Sequence, residues 1–444
     1  MGTVRAAGPA RAAGAVGADT VRRYDAVVVG AGPAGATAAL LLARAGWKVA
    51  LVEKQVFPRR KVCGECIAAS NLPLLDELGL SAFFDAGAGT ELRHVRLLRG
   101  AQAITADLPA ARHPRHVWGR AIGRETLDTL LLTQARDAGA EVLQPWSLQA
   151  LSGTAGAWSC EVRAVDGAAS LRLRAKLVID AHGCWEALPS AREGRSLAHS
   201  ASDLFAFKAN FSGAALDAGT VHLLALDGGY GGMVVADGLT TVACCVRRDR
   251  LHALRSAAPG ERAGDIVEAW LRLENAGAQR ALLHAARSGP WLAAGPLVPG
   301  VRVATADGLF RVGNAAGEAH PVLGEGLSMA LQSAALLCSH LLAGPAGAGT
   351  APPAPTHAML HRRYAADWQR HFAPRLRVAA ALAHTVMRPR ASAVLMSMLR
   401  VWPGLLTAGA RQGGKVRPPP VAAAVARPAA LAPARPAPAA PPAA

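Results

Sequence analysis

Residues Tyr24 to Lys54 read YDAVVVGAGPAGATAALLLARAGWKVALVEK. The short apolar run Ala26–Val29 ends in Gly30-x-Gly32-x-x-Gly35. A helical pattern follows, and a second apolar run, Val49–Val52, closes on Glu53 and Lys54. Strand, glycine turn, helix, strand and acid stand in the order and spacing of a unit that binds an adenine dinucleotide. Gly30 permits the tight turn, Gly32 lets the backbone approach a pyrophosphate, and Gly35 lets the helix pack on the strand. The free N–H groups around Ala31 and Ala34, at the start of the helix, face the phosphates, and the helix dipole favours their charge. Glu53 lies 21 residues past Gly32, placed to accept hydrogen bonds from an adenosine ribose. The motif does not distinguish NAD from FAD; that decision falls to the far end of the chain.

A chain of 444 residues can bury one large core or two joined domains. The hydrophobic content of 51% is inflated by alanine, and no apolar run approaches the ~20 residues of a spanning helix. The net charge of +17 raises the question of nucleic acid. It is spread thinly, however, apart from an excess in the first 23 and last 34 residues, and 42 of the 48 basic residues are arginine. No basic cluster with interleaved aromatics occurs, so nucleic-acid binding is not expected. Seven scattered cysteines fit a reducing cytoplasm better than a disulfide framework. Cys63-x-x-Cys66 lacks a second pair or a histidine at ligand spacing, so no metal site is expected.

Along the chain, residues 1–23 read as a disordered extension and 24–190 as the first part of a nucleotide-binding domain. Within it, Leu127, Leu130, Leu131 and Ala135 mark a helix. Trp158–Val165 and Leu171–Val178 alternate as strands of a small sheet do, and the second run stops at Asp180-Ala181-His182-Gly183, as a buried parallel strand ending at a ligand would. Residues 191–300 read as a substrate-facing antiparallel sheet, with a hairpin turn at Asp237-Gly238. Residues 301–343 return to the first domain through Leu309–Val312 and a helix from about Leu327 to Leu342. Residues 344–356 read as a linker, 357–410 as C-terminal helices, and 411–444 as an Ala/Pro tail without a core.

Four distant segments resemble the motifs of one superfamily, the FAD-dependent aromatic hydroxylases with the related geranylgeranyl reductases and flavin halogenases. The first is the glycine turn with Glu53. The second, Phe57-Pro58-Arg59-Arg60-Lys61-Val62-Cys63-Gly64-Glu65, is similar to the P-x-x-K-x-C-G segment of the reductase branch. The third, Ala181-His182-Gly183, is similar to the family's A-D-G segment. The fourth joins Gly313-Asn314-Ala315-Ala316-Gly317 to Pro321-Val322-Leu323-Gly324-Glu325-Gly326-Leu327. The resemblance implies an α/β fold: a Rossmann-like FAD-binding domain, an inserted antiparallel-sheet substrate domain and a C-terminal helical region. It implies FAD as cofactor and NAD(P)H as a candidate electron donor. Asn314 would touch the ribityl hydroxyls, Gly324, Gly326 and Leu327 would approach the pyrimidine edge, and Arg124 would reach the pyrophosphate or ribityl chain. Two positions depart from the family: Asn314 stands where aspartate is usual, and His182 replaces the aspartate of the third motif, which weakens the case for direct reduction by NADPH.

For chemistry the resemblance puts Cys63 and Glu65 beside the flavin, for substrate positioning or proton delivery. Tyr230, alone among four glycines, suggests a loop close to a planar ligand. His320 is a further candidate for moving protons, and Glu325 reads as structural. Arginines 370, 375, 377, 388, 390 and 400 punctuate apolar helical stretches. They read first as a cap over the substrate cavity, and second as a face for peripheral contact with an anionic membrane. The expected function is hydride transfer through FAD to a hydrophobic small molecule of isoprenoid or polyketide type. A monooxygenase and a non-catalytic FAD-binding protein are the alternatives. A classical NAD dehydrogenase leaves 311–327 unexplained, and no W-x-W-x-x-P segment speaks for a halogenase.

Overall fold

The structure, a computed structural model, describes residues 21–183, 188, 200–304, 307–343, 351, 353–412 and 414–415. The expected N-terminal extension before Val21, the linker at 344–350 and the tail from 416 lie outside these residues.

The first strand runs Val21–Val29, five residues earlier than the apolar run Ala26–Val29, and takes residues 21–23 out of the expected disordered extension. It pairs in parallel with Val49–Val52 on one side and Ser170–Asp180 on the other. Alternate side chains feed opposite faces, as a pleated strand requires: Ala26 and Val28 join one core, Val27 and Val29 another. The sheet has seven strands, with Glu141–Leu143 at one edge. Phe310–Arg311 adds in parallel beside the end of Ser170–Asp180, so the chain returns from the far segment straight to the glycine turn. Strands Ala157–Ala164 and Trp146–Thr154 extend this same sheet antiparallel, so the alternating runs Trp158–Val165 and Leu171–Val178 belong to it and not to a small sheet of their own.

Helix Pro33–Arg44 has proline in its first turn, where the missing N–H costs nothing. All but its last residue is buried. Its alanines allow a close approach to helix Gly326–Leu342, and the Cys338 thiol reaches the Ala38 carbonyl at 3.8 Å. This contact brings the two distant glycine segments together.

The second sheet has eight strands, including Leu204–Ser212, Leu239–Arg247, Gly229–Ala236 and Thr220–Leu226 in that order, antiparallel, with the hairpin at Asp237-Gly238. It also recruits His94–Arg99, parallel to Thr220–Leu226, and then Gln102–Asp107. The division at residue 190 is therefore incomplete, because part of the substrate sheet comes from the first segment. Helices Ala354–Val386, Pro389–Val401 and Gly404–Gln412 follow. Arg99 ties down the start of the middle helix through Ser392 Oγ and the Pro389 carbonyl, and Thr407 Oγ1 donates to the Asp107 carbonyl at 2.6 Å.

Candidate FAD site

The glycine turn and Glu53 meet at the carboxyl ends of the first two strands. Glu53 is buried at the end of the second strand, and its carboxylate accepts from Ala31 N–H at 2.9 Å and Gln55 N–H at 2.8 Å. This pins the acid against the glycine turn. Gly30 has φ +99°, and a side chain there would lie 2.7 Å from the Ala181 carbonyl oxygen. A side chain at Gly32 would meet only the guanidinium ends of Arg124 and Arg59, each at 3.9 Å. The backbone over which a pyrophosphate would pass is thus flanked by two cations.

Arg124 opens helix Arg124–Asp137 and grips Asp128, one turn on, by two bonds of 2.7 Å. Burial opposes its charge, but Asp128 outweighs that and holds the guanidinium above its ordinary range. Arg59 lies 3.7 Å from Glu53 and 3.6 Å from Asp128. Its buried Nε has no hydrogen-bond partner among the described residues, which leaves a donor suited to an anionic ligand. Lys61 completes the group; burial, with the charges of Arg124 and Arg59, brings its ammonium down to about 8. Three cations face two carboxylates, so the cradle retains positive charge for a pyrophosphate. The sequence argument named Arg124 alone. Arg59 and Lys61 lay inside a quoted motif, but nothing local showed that Arg59 reaches Gly32 or that Lys61 joins Arg59 and Arg124.

A pH dependence follows. An arriving diphosphate favours charged Lys61, so below pH about 8 the ammonium is already present and FAD affinity is level. Above that pH binding must take up a proton, and affinity falls by up to about tenfold per pH unit. Titrating FAD by fluorescence quenching across this range checks it, and Lys61→Met should flatten the profile while weakening binding at neutral pH.

At the opposite end, Gly313–Ala315 forms a single helical turn, and Gly313 N–H donates to Ser333 Oγ at 2.8 Å. Asn314 lines the cavity from this turn. Gly324 adopts φ +63°, and Gly326 starts the 17-residue helix Gly326–Leu342. A side chain at Gly326 would meet no protein atom within 4 Å. Its bareness therefore answers no packing need and opens the helix N-terminus to a ligand. Buried Asn71 bonds Ser328 and Gln332, and Arg375 bonds Gln332 at 2.9 Å. This chain locks the helix start in place. Arg375 is thus an internal strut, not a surface arginine. Glu325, fully buried, lies 3.2 Å from Lys415 and 3.7 Å from Arg375.

One cavity of about 1100 Å³ joins the two ends, lined by Gly30, Gly32, Glu53 and Lys54 at one extremity and by Asn314, Gly324, Gly326 and Leu327 at the other. It exceeds the about 300–1,000 Å³ typical of a single small-molecule site. Beyond the flavin-edge segment the walls become apolar: Val95, Leu97, Val221, Leu223 and Val234 from the second sheet, and Leu382, Val386, Leu395, Leu399 and Leu406 from the C-terminal helices. Gly35 stands behind the turn and lines nothing; its place is in packing.

The three residues expected to carry chemistry differ in setting. Cys63 lines the cavity beside Arg124. Cys66 is a poor thiol partner for it, because burial pushes its thiol up to about 12. Tyr230 also lines the cavity, but from strand Gly229–Ala236 rather than from a loop. Its hydroxyl lies beside Cys245 with no oxygen or nitrogen partner among the described residues, and burial holds it well above its ordinary range, so it keeps its proton.

Glu65 departs from expectation. At φ 56° it turns its carboxylate into the second sheet, where Lys208 and Thr241 donate to it and Arg124 N–H donates at 2.9 Å. A carboxylate held by three donors is a fastening, and argues against the proton delivery expected of it. His182 is held by the carboxylate of Asp180, an acid two positions before the place the family pattern gives it. His320 packs near His384, off the cavity wall, and burial with that neighbour lowers it to about 4, so it is neutral at physiological pH.

Comparisons with known proteins agree with this geometry. The menaquinone reductase of Mycolicibacterium smegmatis is 35% identical over 121 residues, 27% of this chain and 29% of that protein. The tryptophan 2-halogenase of Chondromyces crocatus is 36% identical over 118 residues, 27% of this chain and 22% of that protein. The chain thus matches less than a third of the length of either relative. Among solved structures, a myxobacterial chondrochloren halogenase has a TM-score of 0.66 at 19% identity, over 88% of this chain and 91% of that one. A geranylgeranyl bacteriochlorophyll reductase-like protein from Thermoplasma acidophilum has a TM-score of 0.61 at 18% identity, over 88% of this chain and all of that one. The profile of the FAD binding domain family matches residues 23–369. The chain belongs to that family of FAD-dependent enzymes, with the fold shared by flavin monooxygenases, halogenases and geranylgeranyl reductase-like proteins.

Proposed function

We propose that this protein is an FAD-dependent reductase of a carbon–carbon double bond in an isoprenoid-type substrate, supplied with electrons by NAD(P)H or a protein donor. The observation that carries the reading is the apolar chamber that opens directly off the flavin-edge segment, with Cys63 and Tyr230 on its wall. Such walls reward removal of hydrocarbon from water, about 25 cal/mol per Å² buried, and offer few polar groups to orient anything else. The similarity to a menaquinone reductase over 121 residues supports the reductase reading.

When bound, FAD would supply the hydride that reduction of an alkene needs at one carbon. The second carbon needs a proton, and Cys63 and the Tyr230 hydroxyl, which burial keeps protonated, are the candidate donors on the chamber wall. Arg59, Lys61 and Arg124 would hold the diphosphate, Glu53 would orient the ribose, and the first turn of helix Gly326–Leu342 would favour negative charge at the flavin end. The C-terminal helices exclude water from the chamber.

The test is to purify the protein, record its visible spectrum, and follow bleaching by NADH, NADPH and a chemical reductant with and without oxygen. Under anaerobic conditions the reduced enzyme should add two hydrogens to an isoprenoid alkene, seen by mass. Cys63→Ala should keep its flavin spectrum yet slow that addition by about 10²-fold or more if the thiol is the donor. Incorporation of oxygen into product would select a monooxygenase instead. A flavin reduced and reoxidised with no substrate converted would select a binding protein, and a preparation that stays colourless with added FAD would remove the proposal.

A further inference from the structure

Helix Pro389–Val401 is apolar on two opposite faces, and helix Gly404–Gln412 continues the inner one. The inner face, with Leu395, Leu399 and Leu406, closes the chamber. The outer face is exposed: Val394 is 61% accessible, Val401 67% and Trp402 62%. Arg390, Val394, Met398 and Val401 recur at four- and three-residue spacing, so they form one stripe along the helix, opposite the buried Ser392, Met396 and Leu399. Large apolar side chains in a row are not expected to face bulk water without a partner.

The charge around this stripe is one-sided. No aspartate or glutamate follows Asp367 in the sequence, while eleven lysines and arginines do. Arg388, Arg390, Arg400 and Arg411 are exposed around the two helices. The helices meet at a bend of 113°, with Trp402 at the corner. At 1.5 Å per residue they are about 20 and 14 Å long, short of the ~30 Å hydrocarbon core, and no single helix among the described residues is long and apolar enough to cross it. An amphipathic element with a basic rim and a tryptophan at its apex suits the plane of the headgroups.

We infer that these two helices are the element by which the protein docks on an anionic lipid bilayer. Leu405 shows where this leads, because it lines the chamber and is also 44% exposed. The docked face therefore borders the chamber mouth, and an apolar substrate can pass from bilayer to chamber without crossing water. This last step rests on the reductase reading above; the docking itself does not.

Co-sedimentation with phosphatidylcholine vesicles, with and without phosphatidylglycerol, tests the docking without any turnover. The wild type should bind anionic vesicles at least about tenfold more tightly than neutral ones, and less tightly as salt rises. Val394→Ser/Met398→Ser/Trp402→Ala should lose about tenfold or more on anionic vesicles while keeping its bound flavin. Brominated lipid should quench wild-type fluorescence more than that of Trp402→Phe, a readout that holds even if the triple variant folds poorly. Absence of vesicle binding, a triple variant that folds and binds normally, or equal quenching overturns the inference. So does a dimer that the triple variant dissolves without any vesicle binding, which would assign the face to a second copy of the chain. Alkene reduction in detergent micelles reports separately on the reductase reading. Its failure with vesicle binding intact would sink that reading and leave the docking standing.

Discussion

Gly35→Ala should yield protein without bound flavin. The ideal Cβ at this position falls 1.8 Å from the Gly30 carbonyl oxygen and 3.0 Å from the Ala181 side chain. Both obstacles sit on fixed elements. Gly30 is held by its N–H bond to the Val52 carbonyl at 2.8 Å, and Ala181 by its N–H bond to Val29 at 2.9 Å. No rotamer change relieves a contact with backbone, so helix Pro33–Arg44 must move off the first strand. Overpacking of a tight core costs about 1–3 kcal/mol, and a clash with backbone belongs at or above the upper end. The functional loss should be larger than the stability loss, because the displaced segment carries the N–H groups and helix terminus that meet the diphosphate. Flavin absorbance per protein after gel filtration measures the first effect, and thermal unfolding with and without FAD the second. Retention of stoichiometric flavin by Gly35→Ala would refute the reading of the turn.

This sensitivity explains why the dinucleotide half was legible in the sequence. Strand, turn, helix and acid are local, and each residue type is dictated by a close approach within about 30 residues of chain. The flavin-edge segment was legible for the same reason, since glycines at 324 and 326 sit directly before a helix. Residues whose partners are remote were not. Glu65 meets Lys208 across 143 positions and Thr241 across 176, and no periodicity signals such a pair. The strands at His94–Arg99 and Gln102–Asp107 join the second sheet through a parallel pairing with Thr220–Leu226, a crossover that hydrophobic alternation cannot reveal. The glycines around Tyr230 suggested a loop because glycine is rare inside strands. In the sheet they serve packing: a side chain at Gly229 would strike the Cys245 carbonyl at 2.5 Å and the Trp270 ring at 2.7 Å. The cluster of Arg59, Lys61 and Arg124 likewise exists only once the chain has folded back over Gly32.

Glu65→Gln should destabilise the whole protein, and Lys208→Met placed on top of it should restore much of the loss. The Lys208 side chain is 2% exposed and that of Glu65 3%, so neither charge has water as an alternative partner. Removing one member of a buried pair strands the other and costs about 3–5 kcal/mol, whereas replacing both by neutral groups of similar size is often near neutral. Glutamine can keep its oxygen for Arg124 N–H and turn its NH2 to Thr241 Oγ1, which can accept, so the single variant isolates the uncompensated ammonium. Methionine then fills the space of the lysine stem between Leu204–Ser212 and its neighbours. The same pair joins the Cys63-Gly64-Glu65 segment to the second sheet, while Asp237, from that sheet's hairpin, accepts from Gly123 N–H at 3.1 Å and Thr126 Oγ1 at 2.7 Å. Loosening the fastening should therefore also weaken FAD, by freeing the loop that carries Arg59 and Lys61. Urea unfolding of the wild type, both single variants and the double variant gives the coupling energy directly. A structural fastening predicts that each single variant loses stability and the double recovers it, with turnover following bound flavin. If Glu65 instead delivered the proton, Glu65→Gln would unfold like the wild type, keep its flavin, and lose turnover that Lys208→Met could not return.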